Sequence, residues 1–299
     1  MANTIEVIVV SHGLNFFEYP SLGLIARTKR NYPMPEFTRT TPLSIKISLP
    51  SGSVDVVAEQ RDTVKVSVTP LGSSRQDREA AEATTVVVNG DELKIEPPKG
   101  NSYLRSSVQL KIEVQTPRDS DIRISVASAM VKCTGRYGEV VIYSASGDMD
   151  IEDASGDVKI QTASGDASIA NVGAQLRVKT ASGDFSAGVV NGSARLRTAS
   201  GNIDIAEAHA DVQSKSASGD LKIGVAHLGV ISANSTSGEV SVGVIPNTGV
   251  WLDLDSKSGN ISSDLDSSGD QSESADLTIQ ARTMSGDIDI VRTRKNAPV

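Results

Sequence analysis

Residues 145–162 read ASGDMDIEDASGDVKIQT, 163–180 read ASGDASIANVGAQLRVKT, 181–198 read ASGDFSAGVVNGSARLRT and 199–216 read ASGNIDIAEAHADVQSKS. The four segments align without a gap. Ser-Gly-Asp, or a close variant, sets its glycine at 147, 165, 183, 201 and 219, a spacing of 18, and Gly156 marks a half-period of nine. Such a fixed period is the mark of a repeat architecture. The corner returns at Gly238, Gly259, Gly269 and Gly286 with stretched spacing.

Written in nines, one set of segments begins at Ala145, Ala163, Ala181, Ala199, Ala217 and Thr236. The other begins at Ala154, Val172, Val190 and Ala208, with a fifth member ending at Ser235. Positions 5 and 7 of the first set are Met149/Ile151, Ala167/Ile169, Phe185/Ala187, Ile203/Ile205, Leu221/Ile223 and Val240/Val242. In the second set they are Val158/Ile160, Leu176/Val178, Ala194/Leu196, Val212/Ser214 and Ile231/Ala233. All but Ser214 are apolar. Residues two apart share a face in a strand and not in a helix. Each nonad is therefore a short strand plus a turn, with two inward side chains that it cannot bury alone. Two nonads make one coil, and coils stack at about 4.8 Å. The spacing predicts an all-β fold: a parallel β-solenoid (β-helix) with 18-residue, two-strand coils. Glycine at the corner is read as permitting positive φ, with the Ser and Asp side chains accepting from turn amides. A hexapeptide solenoid has the wrong sub-period. A calcium-binding roll needs paired glycines that these corners lack.

The chain is expected to divide into an N-terminal extension (1–33), β-rich first coils and cap (34–133), regular repeats (134–291) and a basic tail (292–299). Met34 is a candidate start of the body. Upstream, Leu43–Leu49 and Val64–Val68 alternate cleanly, Asn89-Gly90-Asp91 is a hairpin signal, and Arg75–Ala83 reads as a short charged helix. Beyond the regular coils, Trp251 and Leu252 are expected to cover the end of the core.

The Ser-Gly-Asp corners from Gly147 to Gly219, the strand Leu43–Leu49 leading into Ser51-Gly52, the segment Trp251–Leu254 and the strand Met284–Ile290 together resemble a bacterial β-strand-repeat family of candidate adhesins, a domain of unknown function. The resemblance spans roughly residues 35–291. It implies adhesion by analogy with surface proteins and supplies no catalytic residues.

The whole chain is 299 residues with net charge −8, an acidic balance that argues against wholesale coating of nucleic acid, and its 3% of aromatic residues argues against a fold built around large ring-filled cores. One cysteine, Cys133, excludes an intrachain disulfide framework and reads as a small core residue. No window is apolar enough for a transmembrane segment. The first ten residues hold Glu6 and no Lys or Arg, so no signal peptide is read and a cytoplasmic location is expected, or the surface by a non-classical export route. No catalytic residues, cofactor or metal are expected. A carbohydrate-acting β-helix enzyme is disfavoured, because the repeat carries almost no aromatic side chains to stack on sugar rings.

Three surface features remain. Asp148, Asp166, Asp184 and Asp220, with Asn202, form a corner ladder read as accepting turn N–H groups. His209 and His227 lie one coil apart with no third metal ligand evident. Outward positions 6 and 8 of the second set carry Lys159, Arg177, Lys179, Arg195, Arg197 and Lys215 and no acid. Those six are the candidate polyanion-binding residues. The opposite outward face is small and flat (Ala170, Gly188, Ala206, Gly224, Gly243), a surface for docking a protein partner or assembly. The expected role is a non-catalytic interaction scaffold; the alternative is a module that binds polyanions or an envelope surface through the basic sheet. Sequence-specific nucleic-acid binding is not expected.

Overall fold

The computed structural model describes residues 7–9, 24–25, 36–38, 41–98, 108–265 and 276–293. Most of the 1–33 extension and all of the tail beyond 293 lie outside the described residues. The chain forms two compact units, Met1–Asp153 and Ala154–Val299.

In the unit Ala154–Val299, every paired strand runs parallel to its neighbours. One sheet is built from Val158–Gln161, Leu176–Lys179, Ala194–Arg197, Val212–Lys215, Gly229–Asn234, Leu277–Thr283 and Val250–Ser256, in that order. The other is built from Ala167–Val172, Phe185–Val190, Ile203–Ala208, Leu221–Ala226, Val240–Val244, Ile288–Arg292 and Ile261–Ser263. All the alternating positions assigned inward are buried, Ser214 included. The pairing joins equivalent residues: Leu176 to Ala194 to Val212, and Phe185 to Ile203 to Leu221. The parallel β-solenoid read from the spacing is the fold observed.

The coil holds more core than two residues per nonad. Val172, Val190, Ala208, Ala226 and Val244, at the bend after each first-set strand, are also buried. The corner works differently from the sequence reading. None of the Ser-Gly-Asp glycines among the described residues has φ in the left-handed region; positive φ occurs at Gly52, Gly90, Gly135 and Gly229. Glycine is needed because the coils stack backbone on backbone: a Cβ on Gly219 would lie 1.9 Å from the carbonyl oxygen of Gly201. The corner serine is not the principal acceptor either. At the corners spaced by a full coil the glycine N–H donates to the hydroxyl three residues earlier, Gly201 to Thr198 at 2.8 Å and Gly219 to Ser216 at 2.7 Å.

The last coils depart from chain order. Gly286 stacks on Gly238, and Gly259 stacks on Gly286. The coil 277–292 thus lies between 229–244 and 250–263. Its inward residues Leu277, Ile279, Ala281, Ile288 and Ile290 are all buried, whereas Ile261–Ser263 is exposed throughout. The more apolar coil takes the interior layer and the poorer one closes the stack, as burial energetics favour. Leu252 does cover the core, opposite Ile279. Trp251 does not: it pairs with Thr278 on the outward side and is 52% exposed.

The unit Met1–Asp153 shows the same inversion. Strands Ser44–Leu49 and Gly52–Glu59 lie between the coil holding Glu92–Glu96 and Leu110–Pro117 and the coil holding Asp121–Val126 and Met130–Tyr137. Antiparallel additions cap it. Thr85–Asn89 and Glu92–Glu96 form the expected hairpin around Gly90, whose φ is +57°. Thr63–Pro70 adds antiparallel to Leu110–Pro117. The helix Arg75–Ala83 starts at a capping box in which Ser74 and Asp77 bond reciprocally. It buries Ala80 and Ala81 against the strand Thr63–Pro70. Cys133 is buried, and burial pushes its thiol well above the ordinary range.

Candidate anion-binding face

The six basic residues lie on four consecutive strands of one sheet. Strand alternation turns their neighbours Val158, Ile160, Leu176, Val178, Ala194, Leu196 and Ser214 inward and these side chains outward. Register places Lys159, Arg177 and Arg195 in one column, continued by Gln213. Gln161 is followed by Lys179, Arg197 and Lys215 in the second column. Neighbours in a column are about 4.8 Å apart, and the columns are about 6.7 Å apart along the strands. Lys159 is half-buried and the other five are exposed.

Two further features were not apparent in the sequence. The second column runs on through Asn234 to Arg282, whose coil inserts ahead of its place in the chain. Arg282 is neutralised: its Nη2 lies 2.7 Å from Asp253 Oδ2. Ion pairs of this unit include Arg282–Asp253, Lys222–Asp204 and Glu207 with His209 and His227. None of these involves Arg177, Lys179, Arg195, Arg197 or Lys215. Arg177 donates instead to the Gln175 side-chain oxygen at 2.7 Å.

The corner ladder is structural. Asp166 Oδ1 accepts the Asp184 N–H, Asp184 Oδ1 the Asn202 N–H, Asn202 Oδ1 the Asp220 N–H, and Asp220 Oδ1 the Glu239 N–H, at 2.7 to 3.1 Å. Each of these four side chains satisfies an amide of the next coil, so the column ties coils together. The flat face also has a backbone reason. A Cβ on Gly188 would lie 2.3 Å from the Ala170 carbonyl oxygen, and one on Gly243 would lie 1.8 Å from that of Gly224.

His209 and His227 are brought together, as their spacing implies, with ring centroids 4.0 Å apart. The reading that no third ligand stands near them is corrected. Glu207 sits beside both, its Oε2 3.4 Å from each Nε2. It is two residues before His209, across the buried bend residue Ala208, where strict alternation from Ile203 and Ile205 would have turned it inward.

A family model covers residues 44–291 of this chain, the whole two-sheet coil region. The chain belongs to the Toastrack DUF4097 family. This Toastrack chain matches no curated protein. Among solved structures it is similar to a candidate adhesin from Bacteroides fragilis, at 14% identity and TM-score 0.42, covering 87% of this chain and 96% of that one. It is also similar to a candidate cell-adhesion protein from Clostridium sporogenes, at 10% identity and TM-score 0.23, covering 87% and 100%. A candidate lipid-binding protein from Parabacteroides distasonis gives 14% identity and TM-score 0.34, covering 87% and 96%.

Proposed function

We propose that this Toastrack chain is a non-catalytic interaction scaffold whose basic sheet holds an anionic polymer by charge rather than by sequence. The observation that carries this reading is the alignment of Lys159, Arg177 and Arg195, and of Lys179, Arg197 and Lys215, in two in-register columns, exposed at all but the half-buried Lys159. Like charges facing one another across strands cost stability. Stability alone would interleave acids, which the chain has in excess. The backbone fixes the two columns in advance, so little ordering entropy is spent on binding. The side chains end in cations that pair with any carboxylate, sulfate or phosphate, which gives affinity without base or sugar readout.

The test compares wild type with a variant in which Arg177, Lys179, Arg195 and Arg197 are all serine. Both are titrated against heparin, polyphosphate, single-stranded DNA and anionic vesicles at low salt. Binding by wild type that the variant loses supports the reading, and the arm that binds tightest identifies the source of the anion. No binding by wild type to any of the four, or equal binding by both proteins, rejects it.

A further inference from the structure

We propose that Glu207, His209 and His227 form a binding site for a divalent cation of the zinc type. Glu207 and His209 leave the strand Ile203–Ala208 at its bend, and His227 occupies the equivalent bend one coil on. Backbone hydrogen bonds fix the stagger: His209 N–H donates to Val190 O and His227 N–H to Ala208 O, both at 2.9 Å. The coil repeat therefore stacks the imidazoles with their planes 13° apart and sets one carboxylate against both. In its own column Glu207 is flanked by Val189 and Val225. Its only ion-pairing neighbours among the described residues are the two histidines.

Three observations point to a cation. The donor set, two imidazoles and a carboxylate, is one that zinc takes with its fourth position open. Two of the three spacings fit: ligand atoms at 2.0–2.2 Å from a tetrahedral ion lie about 3.3 Å from one another, against 3.4 Å from Glu207 Oε2 to each Nε2, and all three ligand atoms lie within 4.8 Å of one another. Finally, His227 Nε2 is shielded from solvent and makes no hydrogen bond. Its 3.4 Å approach to Glu207 is longer than the ~2.7–2.9 Å of a charge-assisted bond. A shielded, unpartnered ring nitrogen costs free energy that a metal ion would recover. Parallel rings cannot both aim a lone pair at one ion, so binding turns each imidazole about its Cβ–Cγ bond. The side chains of His209 and His227 are 35% and 28% exposed, which leaves room for that rotation.

The test is calorimetric titration of the untagged full chain with Zn²⁺ alone. It is repeated on Glu207→Gln, His227→Ala and, as a control elsewhere in the chain, His12→Ala. One equivalent bound by wild type and by His12→Ala, with affinity lowered more than about tenfold in the other two, supports the site; tenfold is the least expected from disturbing even the outer shell of a zinc site. Absorption of the Co²⁺-loaded protein gives a second reading, with tetrahedral bands expected in wild type and lost in His227→Ala. No binding by wild type, equal binding by all four proteins, or loss in His12→Ala alone overturns the proposal.

Discussion

Gly286 sits directly on Gly238: a Cβ on the later residue would lie 2.0 Å from the carbonyl oxygen of the earlier one. Gly259 falls between them in the chain, yet stacks outside Gly286. That one relationship establishes that the coil 277–292 is a buried layer and not the end of the stack. Gly286→Ala must push two backbones apart, and overpacking of this kind costs about 1–3 kcal/mol. Ser285→Ala, on the exposed side of the same corner, is expected to be neutral within about 0.5 kcal/mol. Chemical denaturation of both variants checks this. Equal stability would mean that no neighbouring backbone lies against Gly286.

The hydroxyl column three residues before each glycine is a second target. Thr198 Oγ1 accepts the Gly201 N–H at 2.8 Å in a buried corner. Thr198→Val keeps the shape and strands that N–H, at an expected cost of about 1–3 kcal/mol. Thr198→Ser restores the acceptor and most of the stability. If valine and serine behaved alike in thermal unfolding, the column would not hold the corner.

How far these features could be read from sequence depends on their range. Positions 5 and 7 of each nonad were legible because strand alternation is local and the core demands it; even Ser214 followed the pattern. The buried bend residues Val172, Val190 and Ala208 were missed because the chain turns there and alternation of period two lapses. The order of the last coils was illegible, since choosing a neighbour compares the burial of whole layers, which no spacing encodes. Arg282 was missed for that reason: its place beside Asn234 follows from the insertion. Glu207 was missed because period two from Ile203 and Ile205 turns position 207 inward, whereas the bend at Ala208 sets it beside His209. The corner glycines were legible as a necessity but not as to cause, because left-handed φ and backbone contact both select glycine.

Acid should act at the helix Arg75–Ala83. The Ser74 side chain, and then the Gln109 amide N–H, hold the Asp77 carboxyl below its ordinary range. A depressed folded-state pKa means that the stabilisation is present above the unfolded value and is lost as pH falls through the folded one. Asp77→Asn is expected to be less stable at neutral pH by about 1 kcal/mol, the scale of a cap. The gap between it and wild type should close as the carboxylate protonates. Melting temperatures of both proteins from neutral pH down into the acid range check this; a gap that stays constant contradicts it.

The central claim is that the basic sheet binds by charge, and the salt dependence of binding tests it most directly. With six cations engaged on a dense polyanion, the association constant should fall on the order of 10³-fold between about 50 and 200 mM salt. Arg197→Ser should weaken binding to every polyanion alike and reduce the slope of log K against log salt by about 1. A steep linear slope in wild type that decreases by this step is the predicted result. A flat salt dependence, or a slope that Arg197→Ser leaves unchanged, would contradict the account.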